Sequence, residues 1–432
     1  MTGYLTANDR PGEHAESWYA ATAGPFPDHP VLGEDTSAEV CVIGGGFAGL
    51  STALHLAGQG VDVMVLEANR IGWGASGRNG GQLGFGQRKG PEAYEKVIGK
   101  ASARRVWSLG NSANQLVRDL IREHQIECEL VENGYLDAAI RPAHARDFRD
   151  YPAFLADEYG HETARYVERE EMAEMLGTTA YHGGIFDTRG AHLHPLKYAL
   201  GLGRAAHAKG ARIHERSRVT KVSLGLVETE TGTVRADHIV LAMNGYIDGL
   251  VPKAARRTIA INNFVAATEP LGETRAWQVI RDNIAVCDSK FVLNYFRLTP
   301  DHRLLWGGGE SYGRRFPRDI PGLVRRAMLE IFPQLGDVPF THAWGGTLAI
   351  TAPRFPVFKE WEGRLWSISG WSGSGIHMAT MGGKAVADAI RGDRADWEMM
   401  SNLPVPPFPG GDWFRAPLVA AAMTWYGFRD RL

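Results

Sequence analysis

The stretch CVIGGGFAGL, residues 41–50, sets Gly44, Gly46 and Gly49 at the spacing G-x-G-x-x-G directly behind an apolar run. Ala38, Val40, Val42 and Ile43 read as a buried strand, and Leu50, Ala53, Leu54 and Ala57 recur at i, i+3, i+4 and i+7 as a helical stripe that Gly58 and Gly60 end. VDVMVLE then reads as a second strand closing on an acid, Glu67. Strand, glycine turn, helix, strand and acid make a complete dinucleotide-binding unit. Its backbone amides and helix N-terminus face a pyrophosphate, and the acid accepts ribose hydroxyls. The expected fold class is therefore α/β, and a glycine turn that merely packs a helix on a strand is the alternative reading.

Composition limits the partners. The chain has 432 residues, beyond the size at which one core usually stops growing, so two domains sharing one site are expected. Lys and Arg number 47 against 49 Asp and Glu with no dense basic block, which argues against nucleic acid. Three cysteines, Cys41, Cys128 and Cys287, lie far apart and fit neither a disulfide framework nor a metal site; a reducing, cytoplasmic setting is expected. The first twenty residues hold no apolar core of signal-peptide length, and no stretch approaches about 18 consecutive apolar residues.

After Glu67 the chain continues ANRIGWGASGRNGGQLGFG, residues 68–86, a second glycine-rich loop carrying Ser76, Arg78, Asn79 and Gln82. A nicotinamide enzyme needs nothing of this kind, whereas such a loop can lay its backbone against a planar ring and a ribityl chain. FAD is the expected cofactor.

The stretches VCVIGGGFAGLSTALHLA, VLEANRIGWGASGRNGGQ, DTRGAHLHPLKYALGL, RLLWGGGESY and GWSGSGIHMATMGGK together resemble the glycine and D-amino acid oxidase (DAO) superfamily of flavoproteins, from about Ser17 to the C-terminus. Within it the likeness is to bacterial oxidases of polyamine breakdown that act on gamma-glutamylputrescine. The resemblance implies a GR2-type, Rossmann-like FAD-binding domain joined to an α+β substrate domain built on an antiparallel sheet. It implies FAD contacts from Gly44, Gly46, Phe47, Ala48 and Gly49, from Glu67 and Ala68, and from Gly74, Ala75, Ser76, Asn79, Gly80, Gly81 and Gln82 of the second loop. It further implies Val219 beside the adenine, Ala242, Asn244 and Gly245 over the pyrophosphate, and Gly373, Ser374, Gly375 and Ile376 at the flavin pyrimidine. A helix N-terminus at that last place favours negative charge on the ring and hence hydride acceptance. Ser374 departs from the pattern, which leads one to expect histidine there and puts the substrate in doubt.

Relatives with covalent flavin use a cysteine near the C-terminal domain crossing or a histidine after the second strand; TLAITAPRF and GASGRNGG contain neither, so FAD is expected to be non-covalent. The implied reaction is hydride transfer from the carbon beside an amine nitrogen, imine hydrolysis, and reoxidation by O2 to H2O2 or by another acceptor. No side chain need act as acid or base, and no catalytic residue is assigned. The substrate is expected to be gamma-glutamylputrescine or a related glutamylated amine. An oxidase or dehydrogenase of N-alkyl amino acids, and a non-catalytic flavoprotein subunit, are the alternatives.

Candidate substrate contacts come from several places. In FVLNYFRL, Leu293, Tyr295 and Arg297 share one face of a strand, and an arginine beside a tyrosine suits a substrate carboxylate; a solvent-facing arginine is the alternative. Trp73, Trp344 and Trp371 are placed to wall an amine. His192 and His194 lack the further ligands a metal needs, so no metal is expected; a histidine there orders the helix entry at Pro195, or His192 touches flavin or substrate. Trp306 in LLWGGG marks a region where some sarcosine oxidases carry an oxygen-activating lysine, and none stands there.

The FAD-binding domain is expected over 1–90, 180–258 and 347–400, with an N-terminal arm over 1–37. The substrate domain is expected over 91–179 and 259–346, with helical patterns over 101–126 and 162–177 and strands within 129–140 and 259–310. Residues 401–432 read as a proline-rich strap and a short helix that docks on the body or on a second copy in a homo-oligomer, a membrane-surface anchor being the alternative.

Overall fold

A computed structural model describes residues 3–25 and 27–408. The apolar run before the glycines, Thr36–Ile43, is the central strand of an eight-stranded sheet. It pairs in parallel with Val63–Leu66 on one side and Thr233–Leu241 on the other, Val42 lying opposite Val65 and Val240. The pairing with Val63–Leu66 is parallel because the helix Phe47–Ala57 supplies the crossover. Across this path the order is Val357–Trp361, Leu365–Ser369, Thr233–Leu241, Thr36–Ile43, Val63–Leu66 and Arg212–His214, with Val219–Ser223 and Leu226–Thr229 as a hairpin beside Thr233–Leu241. Covered on both faces, Val63–Leu66 is buried throughout, as its unbroken apolar sequence requires.

A second eight-stranded sheet runs Phe340–Ile350, Ile259–Thr268, Leu304–Ser311, Tyr295–Leu298, Ala285–Asp288, Tyr135–Ala138, Gly184–Asp187 and Ala164–Val167. Its pairs are antiparallel except Ala285–Asp288 with Tyr135–Ala138. One face forms its own core, where Phe296 and Trp306 stack at 4.6 Å between ring centroids, with the helix Ile320–Ile331 upon it. Trp306, and with it the region expected to matter for oxygen, thus lies on the face turned away from the glycine turns. On the other face one register row runs Gly307, Tyr295, Cys287, Asp137 and Ile185 across five strands.

Three placements shift. Gly184–Asp187, placed by sequence in the FAD-binding domain, is a strand of the second sheet, and so is the whole of Phe340–Ile350. The helix Lys100–Glu123, placed in the substrate domain, turns Ala103, Val106, Ala113 and Val117 into the core shared with Phe47–Ala57 and Gly375–Ile390. An amphipathic pattern shows that a helix has an apolar face and leaves its partner undetermined. Within the expected arm, Trp18 and Tyr19 enter the same core, while Asn8 bonds Arg314 and Phe316 beside the second sheet. At the other end Phe408 donates its N–H to the Arg256 carbonyl at 2.9 Å, and the expected C-terminal helix lies outside the described residues.

Candidate active site

A cavity of about 1100 Å³ lies between the two sheets, running from the glycine turn to the row of the second sheet that carries Tyr295 and Asp137. At its inner end the backbone approaches itself too closely for side chains. A Cβ on Gly49 would stand 1.9 Å from the Gly44 carbonyl oxygen, and one on Gly44, at φ +110, would stand 2.9 Å from that of Ala242. A Cβ on Gly46 would meet Ser76 Oγ at 2.8 Å. Gly46 caps the helix Phe47–Ala57 without a side chain, and Ser76 Oγ accepts the Phe47 N–H at 3.0 Å. Glu67 accepts from Gly45 N at 2.7 Å and Asn69 N at 2.8 Å, and burial pushes its carboxyl up to about 7. Its open lone pairs look into the cavity beside Ala68 and Val219.

The second glycine loop is held by its own polar residues. Asn79 donates to the Ala75 and Ser76 carbonyls at 3.0 Å and accepts the Gly81 N–H at 2.9 Å. Arg78 pairs with Asp9 at 2.7 Å and lies over the Trp73 ring. Gln82 lines the cavity with its buried amide nitrogen lacking a protein partner among the described residues. At the far turn Gly373 has φ +107, and Ser374 begins the helix Gly375–Ile390 with no side-chain cap, so its first amides are left for a ligand. Asn244 accepts the Gly370 N–H at 3.1 Å and, with Ala242, closes the side between these turns.

All the expected cofactor contacts line the cavity except Gly49, Gly81 and Gly245. Gly49 serves helix packing; Gly81, at φ +84, passes so close to the Leu193 carbonyl that a Cβ would stand 2.1 Å from it. Gly245 is buried where a Cβ would stand 3.1 Å from the Leu348 carbonyl.

The expected substrate contacts divide. Tyr295 and Trp371 are in the wall, Tyr295 donating its hydroxyl to Asn263 Oδ1 and standing where a Cβ on Gly80 would meet its ring at 2.5 Å. Arg297 is not. It is 1% exposed, and it donates to the carbonyls of Gly80 at 2.8 Å, Leu298 at 3.0 Å and Leu193 at 3.1 Å and to Tyr19 Oη at 3.3 Å. Strand alternation rightly put it on the face of Tyr295, but that face meets the glycine loop at this point and not the cavity. Trp344 donates to the Arg78 carbonyl at 2.9 Å and packs on Tyr19 outside the wall. His192 is buried against the Asn283 carbonyl at 2.9 Å, with burial pushing its imidazole down to about 3, and also stands outside. His194 caps the helix Pro195–Ala208, its Nδ1 accepting the Lys197 N–H at 3.1 Å, which fulfils the ordering role expected in HLHP.

The matched family model, DAO, FAD dependent oxidoreductase, covers residues 39–389. The chain belongs to this family of FAD-dependent oxidoreductases. Among its relatives in the DAO family, it is 39% identical to the probable oxidoreductase OrdL of Rhizobium meliloti over 96% of this chain and 97% of that one. It is 36% identical to the gamma-glutamylputrescine oxidoreductase of Escherichia coli over 97% and 99%. In fold it is similar to glycine oxidase from Geobacillus kaustophilus, with a TM-score of 0.68 at 20% identity, covering 82% of this chain and 95% of that one. L-proline dehydrogenase from P. horikoshii matches with a TM-score of 0.66 at 20% identity over 86% and 96%.

FAD is the cofactor of this DAO-family chain, and the cavity fits it: glycine cradles without Cβ atoms, a buried acid, an uncapped helix start and the orphaned Gln82 amide stand along one continuous space. What sequence reasoning missed is the charged rim beyond. Arg88, Lys89, Asp137, Glu310 and Arg354 all line the cavity. Arg88 donates to the Ser372 carbonyl at 3.0 Å, and Glu310 accepts the Tyr312 hydroxyl at 2.9 Å. Burial raises the Glu310 carboxyl, and burial with Arg88 beside it lowers the Arg354 guanidinium. The pair RK just after the second glycine loop was a usable signal; Asp137, on a strand, and Arg354, in the turn after Phe340–Ile350, carried none before the fold brought them in.

Proposed function

We propose that this enzyme oxidises the terminal amine of a gamma-glutamylated diamine, gamma-glutamylputrescine or a close analogue, to an imine that water hydrolyses to an aldehyde. The reading is carried by one observation: a chamber continuous with the FAD cradle, walled by Phe85, Tyr135, Tyr295 and Trp371, in which two guanidinium groups, Arg88 and Arg354, act on one carboxylate, Glu310. Guanidinium groups suit the substrate's α-carboxylate and Glu310 its α-ammonium, while the aromatic walls cover a methylene chain. The near full-length likeness to the Escherichia coli gamma-glutamylputrescine oxidoreductase supports the same substrate class.

In this reading Gly44, Gly46 and the start of Phe47–Ala57 hold the pyrophosphate, Glu67 the ribose, Asn79, Gly80 and Gln82 the ring edge, and Gly373 to Ile376 the pyrimidine. FAD, when bound, supplies the hydride acceptor for the carbon beside the amine nitrogen. The protein's part is to anchor the charged end so that this carbon is held still, and to keep water from the aromatic chamber until the imine has formed. Steady-state turnover of gamma-glutamylputrescine, putrescine and sarcosine, with oxygen and peroxide recorded, tests the reading. Preference for the glutamylated amine supports it, and faster turnover of sarcosine removes it.

A further inference from the structure

Asp137 stands in the wall of the chamber in a register row with Tyr295, two strands away and so about 10 Å across the sheet. No protein donor among the described residues hydrogen-bonds its carboxylate. The neighbouring acids are both satisfied: Asp288 accepts from Asn294 N at 2.9 Å, Asn294 Nδ2 at 2.7 Å and Lys290 N at 3.1 Å, and Asp187 from Thr163 Oγ1 at 2.9 Å, Arg189 N at 2.8 Å and the His161 ring. A carboxylate left bare inside a cavity costs free energy unless a ligand completes it. Glu310 lies on the other side of Tyr295, three residues beyond Gly307 on the adjacent strand, and Arg88 acts on both acids. One carboxylate, with a guanidinium and a second carboxylate beyond it, is the complement of a substrate that carries an ammonium at one end and an α-carboxylate and α-ammonium on one carbon at the other.

We propose that Asp137 binds the reacting ammonium of the substrate and takes its proton. The N–H bond breaks with its electron pair left on nitrogen, and the proton goes to a carboxylate oxygen of Asp137. With that lone pair free, the neighbouring carbon could give its hydrogen with the bonding pair to the hydride acceptor that FAD would supply, the nitrogen lone pair closing the C=N bond of a protonated imine. Water adds to that carbon, the C–N bond breaks, and the nitrogen leaves as ammonium, giving the aldehyde.

The groups facing Asp137 permit this. Arg88 is the one cation acting on it; Asp187 opposes from Gly184–Asp187, Cys287 from Ala285–Asp288, and Tyr135 and Tyr151 from the chamber side. Burial pushes the thiol and both phenols up, so all three are neutral at ordinary pH. Burial also pushes the Asp137 carboxyl up to about 7, against the pull of Arg88, which suits a group that must gain a proton near neutrality.

The inference rests on the amine-oxidising reading above, and the two fail differently. If no amine is oxidised, that reading falls; if oxidation keeps its pH profile in Asp137→Asn, only this one does. In the FAD-loaded wild type, kcat/KM is expected to fall below about pH 7 as Asp137 becomes protonated. In Asp137→Asn that limb is expected to vanish, kcat/KM instead rising about tenfold per pH unit as free amine accumulates, and standing roughly 10²- to 10³-fold below wild type at pH 7.5. A binding measurement needs no turnover: the gamma-glutamyl amide of a diamine whose free amine sits on a fully substituted carbon has no hydride to give. Calorimetry in two buffers at pH 6 should show about one proton released per molecule of this probe bound to wild type and none at pH 8.5. Should Asp137→Asn not retain FAD, the wild-type release decides. No release at pH 6, or an Asn variant within about threefold of wild type at every pH, overturns the proposal.

Discussion

Arg297 gives the sharpest separation between a substrate arginine and a structural one. Its guanidinium fastens the Gly80 carbonyl of the second glycine loop and the Leu193 carbonyl of HLHP to the second sheet, and it is 1% exposed. Arg297→Leu keeps apolar volume and strips the donors from three buried carbonyls, those of Gly80, Leu193 and Leu298. Leaving a buried acceptor unsatisfied costs about 1–3 kcal/mol, so even the lower bound gives about 3 kcal/mol of lost stability. Domains of 150–250 residues lose about 2–4 °C per kcal/mol, which puts the expected fall in Tm at roughly 6–12 °C. Thermal unfolding followed by flavin fluorescence reads both unfolding and FAD release, and FAD is expected to leave early because Gly80 lies in its cradle. KM for the amine, measured at low temperature on protein still holding FAD, should change less than about threefold. An unchanged Tm with KM raised a hundredfold would refute the structural role and return Arg297 to the substrate.

Gly49→Ala sets a Cβ against the Gly44 carbonyl at 1.9 Å, so the pyrophosphate turn must shift; protein purified as this variant should be largely free of FAD, read from the ratio of visible to ultraviolet absorbance. Glu67 carries a pH dependence. Its carboxyl, pushed up to about 7 against an unfolded value of about 4.3, holds a proton better in the folded apoprotein than in the unfolded chain. That contribution to apoprotein stability is full below about pH 4 and lost as pH rises through about 7. Ribose hydroxyls donate to the ionised form, so FAD affinity should weaken as pH falls below about 7, and Glu67→Gln should flatten the dependence in a fluorescence titration. Acid precipitation should leave the flavin in the supernatant; a yellow pellet would contradict non-covalent binding.

The dinucleotide unit was legible because each of its signals is local: the glycines of 44–49, the stripe Leu50 to Ala57 and the acid at 67 all act within one crossover. The second loop was legible for the same reason, and its polar residues hold their own turn. Arg297 was misread because alternation assigns a side chain to a face, and the same face meets the cavity at Tyr295 and the glycine loop one pair further on. Trp344 and His192 failed similarly, their ring nitrogens facing backbone carbonyls outside the chamber. Asp137, Glu310 and Arg354 come from three segments far apart in the chain; strand register brings in Asp137 and Glu310, and the turn after Phe340–Ile350 carries Arg354 to Arg88.

In the proposed function the guanidinium pair Arg88 and Arg354 ties the chamber to a glutamyl group, and removing the carboxylate from the substrate tests it most directly. The comparison is kcat/KM for gamma-glutamylputrescine against 4-aminobutanoyl-putrescine, which lacks only the α-carboxylate. Truncating one partner of a buried charge pair costs about 2–5 kcal/mol, so the decarboxylated analogue should be poorer by at least about 30-fold. Equal kcat/KM for the two compounds would contradict recognition of the glutamyl carboxylate in this cavity.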